Sequence, residues 1–164
     1  MGKEEFKKQL DYYGERYSEE GGEIIIGKNK NSDVNLQFLK SIPSGIIFCN
    51  NGSVNLNSLT HLPEKISFNN KGDVYLNSLT SLSNGINFSN GRNVFLDSLT
   101  TIPRETIFSD VKFVNLQSII GNRPMKPHHS WAHNFFDSWE GNIRKINSNR
   151  LLNKMIKNGL FDRK

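Results

Sequence analysis

Val54-Asn-Leu-Asn-Ser-Leu-Thr-His-Leu-Pro-Glu-Lys-Ile-Ser-Phe-Asn-Asn-Lys-Gly-Asp73 is one period of a 20-residue repeat, and the next copy begins at once with Val74-Tyr-Leu-Asn-Ser-Leu-Thr80. Val34, Val54, Val74, Val94 and Val114 share one column, and the neighbouring columns match. Self-similarity at this period means stacked coils, none of which buries enough apolar surface to stand alone.

Each period alternates apolar and polar residues twice, at Val-x-Leu-x-Ser and at Ile-x-Phe-x-Asn, the signature of short strands with one buried face. Two strands per coil are predicted. The inward columns are Val34/54/74/94/114, Leu36/56/76/96/116 and Leu39/59/79/99 with Ile119, facing Ile42, Leu62, Leu82 and Ile102, then Ile46, Ile66 and Ile86, then Phe48, Phe68, Phe88 and Phe108. That is about six apolar side chains per coil, each worth on the order of 1.5–3 kcal/mol when buried.

Two kinds of corner separate the strands. Pro43, Pro63 and Pro103 fix one, with Ser83 in the third copy, while Asn50-Asn51-Gly52, Asn69-Asn70-Lys71-Gly72 and Asn90-Gly91 suit tight turns. Asn50, Asn70 and Asn90 align and are expected to hydrogen-bond from coil to coil. Glu23-Ile24-Ile25-Ile26 reads as a preceding half coil, with Ile26 in the column of Ile46. The fourth copy breaks the pattern at Thr106-Ile107 and Asp110-Val111-Lys112, where the stack is expected to end.

The predicted fold is therefore mainly β: a solenoid of about four to five coils over residues 23–120, an N-terminal helical cap over 1–22 and a helical C-terminal cap or extension over 121–164. Phe6, Leu10, Tyr13 and Tyr17 fall at helical spacing between Glu4 and Tyr17. After Pro124 and Pro127, Trp131, Phe135, Phe136 and Trp139 are spaced for an apolar helix face, and Ile143, Ile146, Leu151, Leu152, Met155, Ile156, Leu160 and Phe161 continue the helical reading.

The motif Leu-Thr-x-Leu-Pro-x-x-Ile over Val34 to Ile120 resembles the short leucine-rich-repeat-like β-solenoids of bacterial and phage proteins. That resemblance implies a scaffold for binding other macromolecules and carries over no catalytic residues.

Composition narrows the chemistry. No apolar run approaches the ~20 residues that span a bilayer, and Met1-Gly-Lys-Glu-Glu-Phe-Lys-Lys8 lacks a signal-peptide core. A cytoplasmic protein without membrane contact is expected. Cys49, the only cysteine, excludes an internal disulfide and reads as a packing or surface residue. Asn51-Gly52-Ser53 without a secretory signal reads as a chance sequon. Ser58, Ser78, Ser98 and Ser118 recur with the coil and with no base beside them, so they are not read as nucleophiles. His128, His129 and His133 lack the glutamate of a zinc-protease motif and are read as structural or surface residues. No catalytic residue, metal or cofactor is expected.

Two binding surfaces remain. The outward column Asn35, Asn55, Tyr75, Phe95 and Asn115, beside Gln37, Asn57, Asn77, Asp97 and Gln117, sets two aromatics on adjacent rungs of an amide-rich sheet. Tyr75, Phe95, Asn55, Asn77 and Asp97, with Trp131, Phe135 and Trp139, form the candidate protein-binding set. The net charge of +5 is concentrated after Gly121, where nine Lys or Arg face three Asp or Glu. Arg144, Lys145, Arg150, Lys154 and Lys157 are the alternative, a nucleic-acid contact. The leading expectation is a non-enzymatic protein-binding scaffold, in one version a phage or mobile-element inhibitor or adaptor. A structural or self-assembling role and a homodimer through the C-terminal segment are the further alternatives.

Overall fold

The computed structural model describes residues 1–116, 118, 145–146, 153–154 and 156–158. Helix α1 (Lys3–Tyr12) leads into strands β1 (Tyr17–Glu20), β2 (Glu23–Ile26), β3 (Val34–Asn35), β4 (Ile46–Phe48), β5 (Val54–Asn55), β6 (His61–Leu62) and β7 (Ile66–Phe68). There follow β8 (Val74–Tyr75), β9 (Ser81–Leu82), β10 (Asn87–Phe88), β11 (Asn93–Phe95), β12 (Ile107–Phe108), β13 (Phe113–Asn115) and β14 (Lys145–Ile146).

The strands wind into a β-solenoid of about five coils. Within the repeat, each side chain turned inward meets its equivalent from the coil before. One sheet carries the Phe-centred strands in the order β1-β2-β4-β7-β10-β12, and a second carries the Val-x-Leu strands in the order β14-β13-β11-β8-β5-β3. Within each, the strands from coil to coil are parallel and in register, with Val34 on Val54, Val54 on Val74, Val74 on Val94 and Val94 on Val114.

Two strands per coil proves too few for the second and third copies. β6 and β9 pair in parallel as a third, small sheet at the Leu-Thr-x-Leu corner, with His61 on Ser81 and Leu62 on Leu82. Strands two residues long offer no alternation to read, so the corner passed for a turn.

The Val, Leu, Ile and Phe columns are buried throughout. Phe48, Phe68, Phe88 and Phe108 form a continuous stack, with ring centroids 5.2, 5.1 and 4.9 Å apart and planes within 6° of parallel. A 20-residue period forces this geometry, because it sets identical rings one strand spacing apart.

Asn50, Asn70 and Asn90 do tie coil to coil, through backbone carbonyls. Each buried side chain donates from Nδ2 to a carbonyl of the preceding coil (Ser32, Gly52 and Gly72, at 3.0, 3.1 and 3.1 Å) and to one of its own corner. The second acceptors are the carbonyls of Ser53, Gly72 and Asn93. In the fourth copy Asp110 is exposed in this column and Val111 is buried instead. Thr106 takes the inward place of the isoleucines, which leaves Ile107 half-exposed.

The N-terminal cap is shorter and more varied than a helix to Tyr17. Gly14 at φ 68° stops α1: its N–H donates to the Asp11 carbonyl while that of Glu15 donates to Leu10, the pairing of a Schellman cap. Phe6 and Leu10, one helical turn apart, bury over the first coil. Tyr17 belongs instead to β1, which closes the first sheet as an antiparallel partner of β2. Lys7 joins α1 to β1 through Glu19 at 2.9 Å. The buried carboxylate of Glu15 accepts from the Asn35 N–H at 3.3 Å and pairs with Lys30 at 2.5 Å, which occupies the starting edge of the second sheet.

The half coil holds a shifted register. Ile24, not Ile26, stands in the column of Ile46, and Ile26 underlies Phe48. An offset of 22 residues keeps the same faces inward because strand alternation has period two. The longer turn through Gly27 and Asn29, both at positive φ, takes up the difference.

At the other end, Lys145–Ile146 is a strand where a helix was expected, antiparallel to β13. An uncovered sheet edge has unpaired backbone groups to fill, and that requirement overrides local helical spacing. Residues 153–154 and 156–157 are helical, and Ile156 is buried. Trp131, Phe135, Phe136, Trp139 and the helix read from them lie outside the described residues.

Candidate functional site

The second sheet presents its outer face as three columns. Asn35, Asn55, Tyr75, Phe95 and Asn115 alternate with the buried Val and Leu positions, so strand pleating turns them outward. Gln37, Asn57, Asn77 and Asp97 form the next column, partly buried by one another.

Tyr75 and Phe95 are register partners on β8 and β11, stacked with centroids 5.0 Å apart and planes 7° from parallel. Phe113 extends the group, its ring edge-on to Phe95 at 5.7 Å and 88°. Repeat reading passed over Phe113 because the flanking column, Asp33, Ser53, Asp73 and Asn93, is otherwise polar; the break at its last rung was the available signal.

Asp73 anchors this group. Its Oδ2 accepts from the Tyr75 hydroxyl at 3.2 Å, its Oδ1 accepts from the Asn93 N–H at 3.1 Å, and its own N–H donates to Ser53 Oγ at 3.2 Å. Arg92 Nε lies 3.8 Å from the same carboxylate. Burial raises the Tyr75 phenol above its ordinary value, the Asp73 charge adds to the rise, and Arg92 opposes it. The result is a preorganised patch of aromatic surface with a hydroxyl, a carboxylate and a guanidinium at its edge. Asn55 abuts it through Asn57, whose N–H donates to Asn55 Oδ1 at 3.2 Å and whose own Oδ1 accepts from the Asn77 N–H at 3.0 Å. Asn55, Asn77 and Asp97 thus share the face of Tyr75 and Phe95.

A second aromatic group escaped the sequence reading. Phe38 stands in the column that later coils fill with Ser58, Ser78, Ser98 and Ser118, and it is 64% exposed. Tyr13 stacks on it at 6.4 Å and 20°, and Tyr12, 81% exposed, meets Tyr13 edge-on at 5.2 Å. The substitution of Phe for Ser in the first coil is the signal that locates it.

The remaining sequence candidates separate. The recurring serines continue the coil ladder, as where the Ser118 hydroxyl and N–H both donate to the Asp97 carbonyl. The exposed His61 meets other hydroxyls, Ser81 Oγ at Nδ1 (3.0 Å) and Ser83 Oγ at Nε2 (3.3 Å). Both ring nitrogens are thereby used in tying β6 to the next coil, beside the Thr60, Thr80 and Thr100 ladder. Cys49 Sγ reaches the Ile26 carbonyl at 3.5 Å, and burial pushes its thiol up.

Lys154 and Lys157 are exposed, and Lys157 borders a cavity of about 450 Å³ with Arg104, Glu105, Thr106, Ile107 and Asn153. Lys145 contributes backbone to β14. The Arg144, Arg150, Trp131, Phe135 and Trp139 candidates, and His128, His129 and His133, lie outside the described residues. Among the described residues no helix is long and apolar enough to cross a membrane.

Comparison with family models, with curated proteins and with solved structures finds no match.

Proposed function

We propose that the chain is a non-enzymatic protein-binding scaffold that engages its partner through the outer face of the second sheet. The observation that carries this reading is the stacked Tyr75 and Phe95 pair, held by Asp73 and extended by Phe113, at the centre of a flat face whose other side chains are mostly amides. Rigid aromatics with a polar tip contribute contact area at little entropic cost, which is why they dominate interface energetics. The covered sheet edges add support, since they leave faces and not ends as the surfaces on offer and weigh against head-to-tail self-assembly. An inhibitor or adaptor acting on a host protein is one concrete form, supported by the resemblance to short leucine-rich-repeat-like proteins.

The test is affinity capture from the source cell, with wild type beside Tyr75→Ser/Phe95→Ser and beside Ile47→Ser on the other sheet. One partner should be lost with the double variant and kept with Ile47→Ser, at matched thermal stability. Equal capture by all three overturns the reading. The nucleic-acid alternative rests on the exposed Lys154 and Lys157, and it predicts binding that falls steeply with salt and survives the double variant.

A further inference from the structure

The chain contains three Asn–Gly steps within its described residues, and the fold treats them differently. Such a step is chemically weak because the glycine nitrogen, unhindered by a Cβ, can attack the asparagine side-chain carbon.

At Asn90-Gly91 that attack is blocked twice. The Asn90 side chain is fully buried with Nδ2 bonded to the Gly72 and Asn93 carbonyls, and the Gly91 N–H donates to the Asn70 carbonyl at 3.0 Å. At Asn51-Gly52, Nδ2 is held by Asn31 Oδ1 at 2.6 Å. The peptide there is also pinned, through the Asn51 N–H on the Lys30 carbonyl and the Gly52 carbonyl accepting from the Gly72 N–H.

Asn84-Gly85 has none of these restraints. Both residues are exposed, no hydrogen bond among the described residues engages the Asn84 carboxamide, and a Cβ added at Gly85 would have no neighbour within 4 Å. The step also sits at the one corner of its type that lacks proline, where Ser83 replaces the Pro43, Pro63 and Pro103 of the other copies. Gly85 adopts φ 71°, in line with Gly45 at 75° and Lys65 at 58°.

We propose that Asn84 is a deamidation site, the one Asn–Gly step of the described coils that the fold leaves open to succinimide formation. The Gly85 nitrogen gives its proton to solvent base and bonds to the Asn84 Cγ. The bond from Cγ to the amide nitrogen breaks and ammonia leaves with a proton from solvent. Water then opens the ring at either carbonyl, yielding aspartate or isoaspartate with no change of oxidation state. The isoaspartyl product places an extra backbone carbon in the four-residue corner between β9 and β10 and a new negative charge on the rung between Glu64 and Arg104. Modified chains therefore lose the register that the 20-residue period maintains, and they melt at lower temperature.

The full chain is incubated in mildly alkaline buffer and mapped by peptide mass spectrometry with isoaspartate detection, native and in denaturant. In the native protein Asn84 loses its carboxamide ahead of Asn51 and Asn90, which react roughly tenfold or more slowly, because their coils must open before the nitrogen can attack. In denaturant the three sites react at similar rates. Asn84→Gln removes the early product. Native loss at Asn51 or Asn90 as fast as at Asn84, or an Asn84 preference that persists in denaturant, overturns the proposal.

Discussion

Asn153 holds Phe108 by both of its backbone groups: the Phe108 N–H donates to Asn153 Oδ1 at 3.2 Å, and Asn153 Nδ2 donates to the Phe108 carbonyl at 2.8 Å. A side-chain amide here occupies the place of a sixth parallel strand at the edge of the first sheet. Asn153→Ala should lower stability by about 1–3 kcal/mol, the cost of leaving such groups without a partner. Asn153→Asp should lose at least as much, since its carboxylate cannot donate to the carbonyl. Urea denaturation of the three proteins is the measurement, and equal midpoints would show the clamp to be idle.

The phenylalanine stack gives a second expectation. Phe68 is fully buried with a ring on each side, so Phe68→Ala should cost about 3–5 kcal/mol, while Phe68→Leu, which keeps most of the volume, should cost less. Calorimetric unfolding of both variants separates packing volume from ring stacking.

Gly72 is a close-approach glycine. A Cβ there would lie 2.4 Å from both the Gly52 carbonyl carbon and the Ser53 nitrogen, backbone atoms that cannot swing aside. Gly72→Ala should destabilise by about 1–3 kcal/mol or more through overpacking. Gly2→Ala, with nothing within 4 Å, should cost no more than the preference for glycine over alanine at the N-cap of α1 in the same melt.

Tyr75 links the candidate site to pH. Its folded-state value is raised, so as pH climbs past about 10 the unfolded chain releases this proton first. Its contribution to stability is therefore complete below that range and lost as pH rises through the folded value. Stability measured across the alkaline range should fall less in Tyr75→Phe than in wild type, and identical slopes would sink the assignment.

The solenoid was legible because Val34 to Ile102 repeats its inward residues without a gap, and in-register burial follows from the period alone. Tyr75 and Phe95 were legible for the same reason, as exceptions in a polar column. What was missed depends on groups that the period does not carry. Gly14 ended α1 through a local cap, the turn at Gly27 and Asn29 moved Ile26 by two residues in its sheet, and Lys145–Ile146 became a strand because β13 offered an edge. The role of Asp73 was invisible because its partners Tyr75, Asn93 and Arg92 meet only once the coil is closed. Phe38 and Phe113 had a sequence signal, each as a large ring in a column of small polar residues.

The asparagine ladder has a consequence for how this chain can change in length. Each Nδ2 reaches back to the previous coil and forward to its own corner, so a rung matches its neighbour only when 20 residues separate equivalent positions. Deleting residues 54–73 as a block would bring Val74 onto Val34 and Asn90 into the place of Asn70, leaving a shorter molecule with its ladder continuous. Removing only part of that block would break the match at that rung, while the coils above it keep their 20-residue spacing to one another. Length in this body is thus quantised: the chain can grow or shrink by whole coils, and the natural unit of its variation is the period itself.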